Sequence, residues 1–277
     1  FQKLGNTDLD VSVVALGTWG LGGGSVWTDG DSTVEDVKSL LDICHEHGVN
    51  YIDTAPVYGT GVSEELLGKA LKGRRNDFVL QTKCSLNWRN EGGNTVNNDT
   101  RASAVKKDVE DSLRRMGTDY LDSVIVHYVC GSFPVEETVG ALKNLVREGK
   151  IRTYGLSNSQ PADLSAYQEA GGNVSVVQEF FSILSPFHGR KTDIRSRIPW
   201  TDPEKKEGLR RAFEIWKPLC EEYHCSFATL VESWALSQYD RMSLLVGMRK
   251  ASSVEDTVKC LDIRLRAEDI KCMEEAV

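Results

Sequence analysis

The stretch Asn50-Tyr-Ile-Asp-Thr-Ala-Pro-Val-Tyr-Gly59 decides the fold. Asn50 to Thr54 reads as a short strand ending on an acid, and Pro56 and Gly59 mark the loop that follows. Asp53 therefore stands at the carboxyl end of a strand, with Tyr58 just beyond it. Working outward, Lys83 ends the strand Phe78 to Cys84 and His127 ends the strand Leu121 to Tyr128. An acid, a phenol, an ammonium and an imidazole at successive strand ends match the place where a parallel α/β barrel puts its active site.

The rest of the chain alternates in the way that expectation requires. Val13 to Gly17 predicts a strand. Thr33 to Glu46 predicts a helix, because Val34, Val37, Leu40, Leu41 and Cys44 repeat at helical spacing, and Ser32 with Glu35 reads as its capping box. Further helices are expected over Glu64 to Leu71, Ala102 to Met116, Val135 to Arg147 and Ala162 to Ala170, with strands over Ile151 to Leu156 and Val174 to Phe181. No linker or repeat interrupts them, so residues 1–277 read as a single barrel domain.

The alternation then breaks. Ser182 to Gly208 is polar and contains Pro186, Pro199 and Pro203, and two helices (Leu209 to Tyr223, Ser226 to Ser237) lead to a last strand, Ser243 to Met248. Seven strands result where a (β/α)8 TIM barrel has eight. The expectation is that the natural polypeptide carries further residues near Gly189 to Thr192, and a smaller number near Gly92 to Asn94 within the polar loop Leu86 to Thr100.

Composition narrows the function classes. A net charge of -8 and a pI near 5.3 speak against nucleic acid or an anionic membrane as partner. Seven cysteines without framework spacing fit free thiols in a reducing compartment. No run is long enough to span a membrane, and Phe1 opens directly in fold sequence without a signal peptide, so a cytoplasmic protein is expected. Cys44, His45 and His47, like Cys220, His224 and Cys225, lie on predicted helices without the paired ligands of a zinc site, so no metal is expected. The run Gly20 to Gly24 lacks the spacing and the immediate helix of a dinucleotide fingerprint. The oligomeric state leaves no signal.

The chemistry of the four strand-end residues follows from their protons. A free phenol, with a pKa of about 10, is a poor acid at neutral pH, and a cation a few ångströms away favours its phenolate. Lys83 would supply that cation, and a buried Lys83 needs a carboxylate, for which Asp53 is the candidate. His127 would orient a carbonyl oxygen. Such a site donates a proton to an oxygen gaining negative charge, as carbonyl reduction requires. Trp88, Tyr128 and Phe133 are aromatic candidates either for a substrate pocket or for loop packing.

At these residues the chain resembles the aldo-keto reductase family. The likeness runs from Leu4-Gly-Asn-Thr through the Asn50 stretch, Gln81-Thr-Lys83, Leu121-Asp to His127 and Gly149-Lys-Ile-Arg-Thr-Tyr-Gly-Leu-Ser-Asn158, to Val246-Gly-Met-Arg-Lys250. The resemblance implies that Asp53, Tyr58, Lys83 and His127 form a catalytic tetrad with Tyr58 as general acid or base. It further implies that Ser157, Asn158 and Gln178 hold the nicotinamide carboxamide and that Phe181 stacks on the ring. Thr18 and Trp19 would line the cofactor and substrate mouth with Trp88 and Tyr128, and Gly247, Arg249, Ser253 and Asp256 would take the adenosine phosphate end. Arg249 favours NADP(H) through bidentate phosphate binding. Ser253 and the pair Asp256-Thr257 depart from the family pattern, which keeps NAD(H) open. The function implied is hydride transfer between NAD(P)(H) and a small carbonyl or alcohol substrate. The alternative is a cofactor sensor or regulatory subunit on the same fold.

Overall fold

The chain, seen here in a computed structural model, is described over residues 1–23, 32–88, 96–183 and 203–277, without the side chains of residues 88 and 203–206. It opens with a two-stranded antiparallel hairpin of β1 (Gln2–Lys3) and β2 (Asp10–Val11). Seven further strands form one sheet: β3 (Val14–Gly17), β4 (Tyr51–Asp53), β5 (Val79–Cys84), β8 (Leu121–Val126), β9 (Ile151–Ser157), β10 (Val174–Gln178) and β11 (Leu244–Gly247). The order is β10-β9-β8-β5-β4-β3-β11, and the pairs from β10 through β3 are parallel. Every residue of β4, β5 and β8 is buried, including the polar Asp53, Gln81, Thr82, Lys83, Asp122 and Ser123. This is the parallel (β/α)8-type architecture, with β10 and β11 as the sheet's edges and no eighth strand among the described residues.

Register fixes where side chains meet. Gly17, Asp53, Gln81, Ser123 and Thr153 pair across neighbouring strands on one level. Two residues further along β5, and so on the same face, comes Lys83.

The helices α1 (Val34–Glu46), α2 (Val62–Ala70), α3 (Ala102–Met116), α4 (Val135–Arg147) and α5 (Pro161–Glu169) separate these strands. The α1 capping box sits one residue later than the sequence predicts. Thr33, not Ser32, is the cap, with Asp36 rather than Glu35 returning the bond; Asp36 Oδ2 accepts from the Thr33 N–H at 2.8 Å. Pro161 occupies the first turn of α5, behind a Gln160–Asp163 box.

The polar stretch after Cys84 is more ordered than its composition suggests. β6 (Leu86–Trp88) pairs antiparallel with β7 (Val96–Asn98), so the expected loop is a hairpin, and Gly92 to Asn94 fall outside the described residues. Gly189 to Thr192 fall outside them too.

Contacts group the chain into two compact units, Phe1–Glu179 with Leu245–Ser253, and Phe180–Leu244 with Val254–Val277. The second holds most of α6 to α9: α6 (Pro203–Glu222), α7 (Phe227–Ser237), α8 (Ala251–Thr257), which begins in the first unit, and α9 (Ala267–Glu275). α6 starts six residues before the expected Leu209, because proline is well tolerated in a first helical turn. The core of this unit is Ala212, Trp216, Leu230, Trp234 and Met273. Among the described residues no helix is long and apolar enough to cross a membrane, and no three His, Cys, Asp or Glu side chains gather as metal ligands.

Candidate active site

Three of the four tetrad residues come from strand ends and the fourth from a tight turn. Asp53 closes β4, and its carbonyl accepts from both Thr18 N (3.0 Å) and Thr18 Oγ1 (2.9 Å), which ties the loop after β3 to the strand end. Tyr58 sits on the turn after β4, where its N–H donates to Ala55 O at 3.1 Å. The next residue has to be glycine. Gly59 has φ +61°, and a Cβ there would stand 1.9 Å from Gly22 O. His127 follows β8 and donates its backbone N–H to Cys84 O at 3.0 Å.

These elements bring the four side chains together. Lys83 Nζ donates to Asp53 Oδ2 at 2.6 Å, to Thr54 O at 2.9 Å and to Tyr58 Oη at 3.2 Å, using all three of its protons. The His127 ring stands edge-on to the Tyr58 ring with centroids 6.3 Å apart. Asp53, Lys83 and His127 are buried, and Tyr58 is half-buried. Burial pushes the Lys83 ammonium down, but Asp53 and then Tyr58 outweigh it, so the net direction is up and the lysine is held as a cation.

Two of the expected mouth residues flank this group. The Trp19 ring lies 6.3 Å from that of Tyr58, and Tyr128 stacks on His127 at 5.3 Å. The side chain of Trp88 lies outside the described residues. Phe133, a pocket-or-packing candidate, lies under the Arg101 guanidinium at 5.1 Å.

The amide-bearing residues have defined polarity. Asn158, in the left-handed region at φ +50°, donates Nδ2–H to His127 O (2.9 Å) and to Ser157 Oγ (3.1 Å). Gln178 ends β10 and accepts at Oε1 from Gln81 Nε2, 2.8 Å away. The amide atoms not used in these bonds are Asn158 Oδ1, an acceptor, and Gln178 Nε2, a donor.

Arg249 lies just past β11 with its stem against Gly20, where an added Cβ would meet Arg249 Cδ at 2.8 Å. Gly247 and Ser253 belong to the same unit, whereas Phe181 and Asp256 belong to the second. Within that second unit Phe181 stacks on Trp234 at 5.2 Å, and Asp256 accepts from Ser226 Oγ at 2.5 Å.

The sequence reading passed over three residues next to the tetrad. Gln81 donates to Asp53 Oδ1 at 2.8 Å and accepts from Tyr51 Oη (2.6 Å) and Ser123 Oγ (3.0 Å). The signal was present: Tyr51 and Gln81 each precede a tetrad residue by two positions and so share its face of the strand. Burial, then the charge on Asp53, push the Tyr51 phenol up, so it stays a donor.

A phenol beside a buried ammonium and an imidazole, at the carboxyl ends of a parallel α/β sheet, is an arrangement suited to the reduction of carbonyl groups. The comparisons agree. The Aldo/keto reductase family pattern matches residues 13–197 and again 189–277, so the chain belongs to that family and is a nicotinamide-dependent carbonyl oxidoreductase. The NADH-specific methylglyoxal reductase of Escherichia coli (strain K12) is 32% identical, over 98% of this chain and 96% of its own. Among solved structures, the glycerol dehydrogenase of Gluconobacter oxydans superposes with a TM-score of 0.84 at 27% identity, over 98% of this chain and 92% of that one. An aldo/keto reductase of Klebsiella pneumoniae in complex with NADP and acetate gives 0.72 at 25%, over 96% and 91%.

The same comparisons bear on the break in the strand pattern. The E. coli alignment runs over 316 positions, more than the 277 residues of this chain, so that relative carries residues without a counterpart here. The two stretches of the family match overlap at 189–197, inside the region where the sequence predicts a shortfall.

Proposed function

We propose that this protein reduces small aldehydes or ketones with NADP(H), with Tyr58 giving the proton to the carbonyl oxygen and taking it back in the reverse direction. The observation that carries this reading is the contact of Lys83 Nζ with Tyr58 Oη at 3.2 Å, with the other two lysine protons committed to Asp53 and Thr54 O. A fixed ammonium beside the phenol stabilises the phenolate left when the proton departs. Asp53 keeps that ammonium charged in a buried site. His127, edge-on to Tyr58, orients the substrate oxygen, and Trp19 and Tyr128 wall the mouth against water.

The residues present fit a nicotinamide. Its carboxamide offers one acceptor oxygen and a donor amide, and the donor Gln178 Nε2 and the acceptor Asn158 Oδ1 complement them. A bound cofactor would supply or accept the hydride. Gly247, Arg249 and Ser253, which share the unit of the tetrad, would take its adenosine end. The guanidinium of Arg249 favours a 2'-phosphate, and the NADP bound to the Klebsiella relative supports that choice. The NADH-specific E. coli relative keeps NAD(H) as the alternative. The family match extends through both compact units, which supports one working domain over residues 1–277. A pI near 5.3 and free cysteines support a cytoplasmic site of action.

The test is kinetic. Tyr58→Phe should cut kcat for a panel of aldehydes by about 10²-fold or more while the NADPH Kd holds. A variant with the full rate would remove Tyr58 from the chemistry. Arg249→Ala should weaken NADPH and spare NADH.

A further inference from the structure

Gln81 lies outside the tetrad, yet its carboxamide is the node of the polar network beneath it. The amide has two lone pairs and two N–H groups, and all four are used. Oε1 accepts from Tyr51 Oη at 2.6 Å and from Ser123 Oγ at 3.0 Å, while Nε2 donates to Asp53 Oδ1 and to Gln178 Oε1, each at 2.8 Å. Gln81 is 2% exposed, so each of these bonds is made in a low-dielectric interior where losing one is costly. The acceptor-only carboxylate of Asp53 fixes which end of the amide is nitrogen. That in turn makes Gln178 an acceptor toward Gln81 and leaves its N–H to face outward.

One planar amide thus holds Asp53 Oδ1 and Gln178 Oε1 at a fixed separation. Asp53 positions Lys83 through its other oxygen, and Gln178 is the donor proposed for the nicotinamide carboxamide. Bonds also run head to tail from Tyr51 through Gln81 to Gln178, so each donor polarises the next. We propose that Gln81 is a positioning residue that couples the seating of the cofactor carboxamide at Gln178 to the alignment of the Asp53–Lys83 pair. This rests on the carbonyl-reductase reading above.

The experiment compares Gln81→Met, Gln81→Glu and Ser123→Ala with wild type. It measures NADPH Kd by fluorescence titration, kcat and KM for 4-nitrobenzaldehyde across pH, and Tm without cofactor. Gln81→Met fills the space and removes both donors, so NADPH Kd should rise about tenfold and kcat fall about tenfold with aldehyde KM unchanged. Gln81→Glu keeps the acceptors for Tyr51 and Ser123. Protonated, it donates to only one of Asp53 and Gln178, and ionised, it stands against Asp53. Its kcat relative to wild type should fall as pH rises, adding a limb that wild type lacks, and this variant decides the question if Gln81→Met does not fold. Ser123→Ala removes one bond to Oε1 and neither bond from Nε2, so it should shift NADPH Kd and kcat much less than Gln81→Met does.

A Gln81→Met protein with lowered Tm but wild-type Kd and kcat, or a Gln81→Glu protein whose pH profile parallels wild type, would overturn the coupling. If wild type binds NADPH but reduces no aldehyde, the reductase reading fails separately. The Kd of Gln81→Met then decides the link, a tenfold loss supporting it and no loss overturning it. If wild type binds neither NADPH nor NADH, both fall.

Discussion

Lys83 Nζ lies 2.6 Å from Asp53 Oδ2, and the two side chains are only 1% and 2% exposed. A pair this deep is held together less by its own attraction than by the cost of leaving either charge alone.

Asp53→Ala should therefore destabilise the fold by about 3–5 kcal/mol. The double variant Asp53→Ala/Lys83→Met, which removes both charges, should recover most of that loss while staying inactive. Urea unfolding of the three proteins checks it. If the double variant is no more stable than the single one, the orphaned ammonium is not the cause.

Glu232 sets a pH dependence of stability. Burial pushes its carboxyl up to about 7, with the Thr257 hydroxyl opposing and Asp256 adding to the rise. A folded-state pKa above the unfolded value of 4.5 gives a contribution present in full below about pH 4.5 and lost as pH rises through 7. Glu232→Gln should match wild type near pH 4.5 and exceed it by about 2 kcal/mol at pH 8, a figure discounted for partial exposure. Thermal unfolding at both pH values reads the difference.

Gly59→Ala and Gly117→Ala form a matched pair, since φ is +61° at the first and +60° at the second. Nothing lies within 4 Å of a Cβ at Gly117, so that variant should lose only the roughly 1 kcal/mol of a left-handed alanine. At Gly59 the added carbon meets Gly22 O. The loss should be several times larger, and kcat should fall because Tyr58 is the neighbouring residue. Equal losses in Tm would mean the turn is free to move away.

The intact mass of the natural polypeptide should exceed 30.8 kDa by at least roughly the mass of 30 residues, one strand with its crossover helix. Peptide mapping of protein from its native source across residues 182–208 places the added mass and decides it. A mass of 30.8 kDa would make the seven-stranded sheet the complete one.

The strands were legible from their short apolar cores and the helical patterns that alternate with them, and a charged residue at a strand end then stands out. Asp53, Lys83 and His127 were visible on that ground. Gln81 shares the strand face of Lys83, but what it joins was not visible, because Asp53↔Gln81↔Ser123 is a relation between strands that only their register gives. The β6–β7 hairpin was hidden for a different reason. Its strands are three residues each, and Val96, Asn97 and Asn98 of β7 are exposed or half-buried, so no alternating pattern is imprinted. The α1 cap slipped by one residue because Ser32 and Thr33 are both good caps, and only the bond from Asp36 separates them.

The threefold commitment of the Lys83 ammonium also bears on chemoselectivity. A lysine with a free lone pair in a pocket that admits aldehydes would condense with them, and the enzyme would accumulate imine adducts of its own substrate. Here every proton is directed at a fixed oxygen, and the pair with Asp53 keeps the nitrogen cationic. On the proposed mechanism, the same bonds that set Lys83 beside Tyr58 would also keep its nitrogen from acting as a nucleophile.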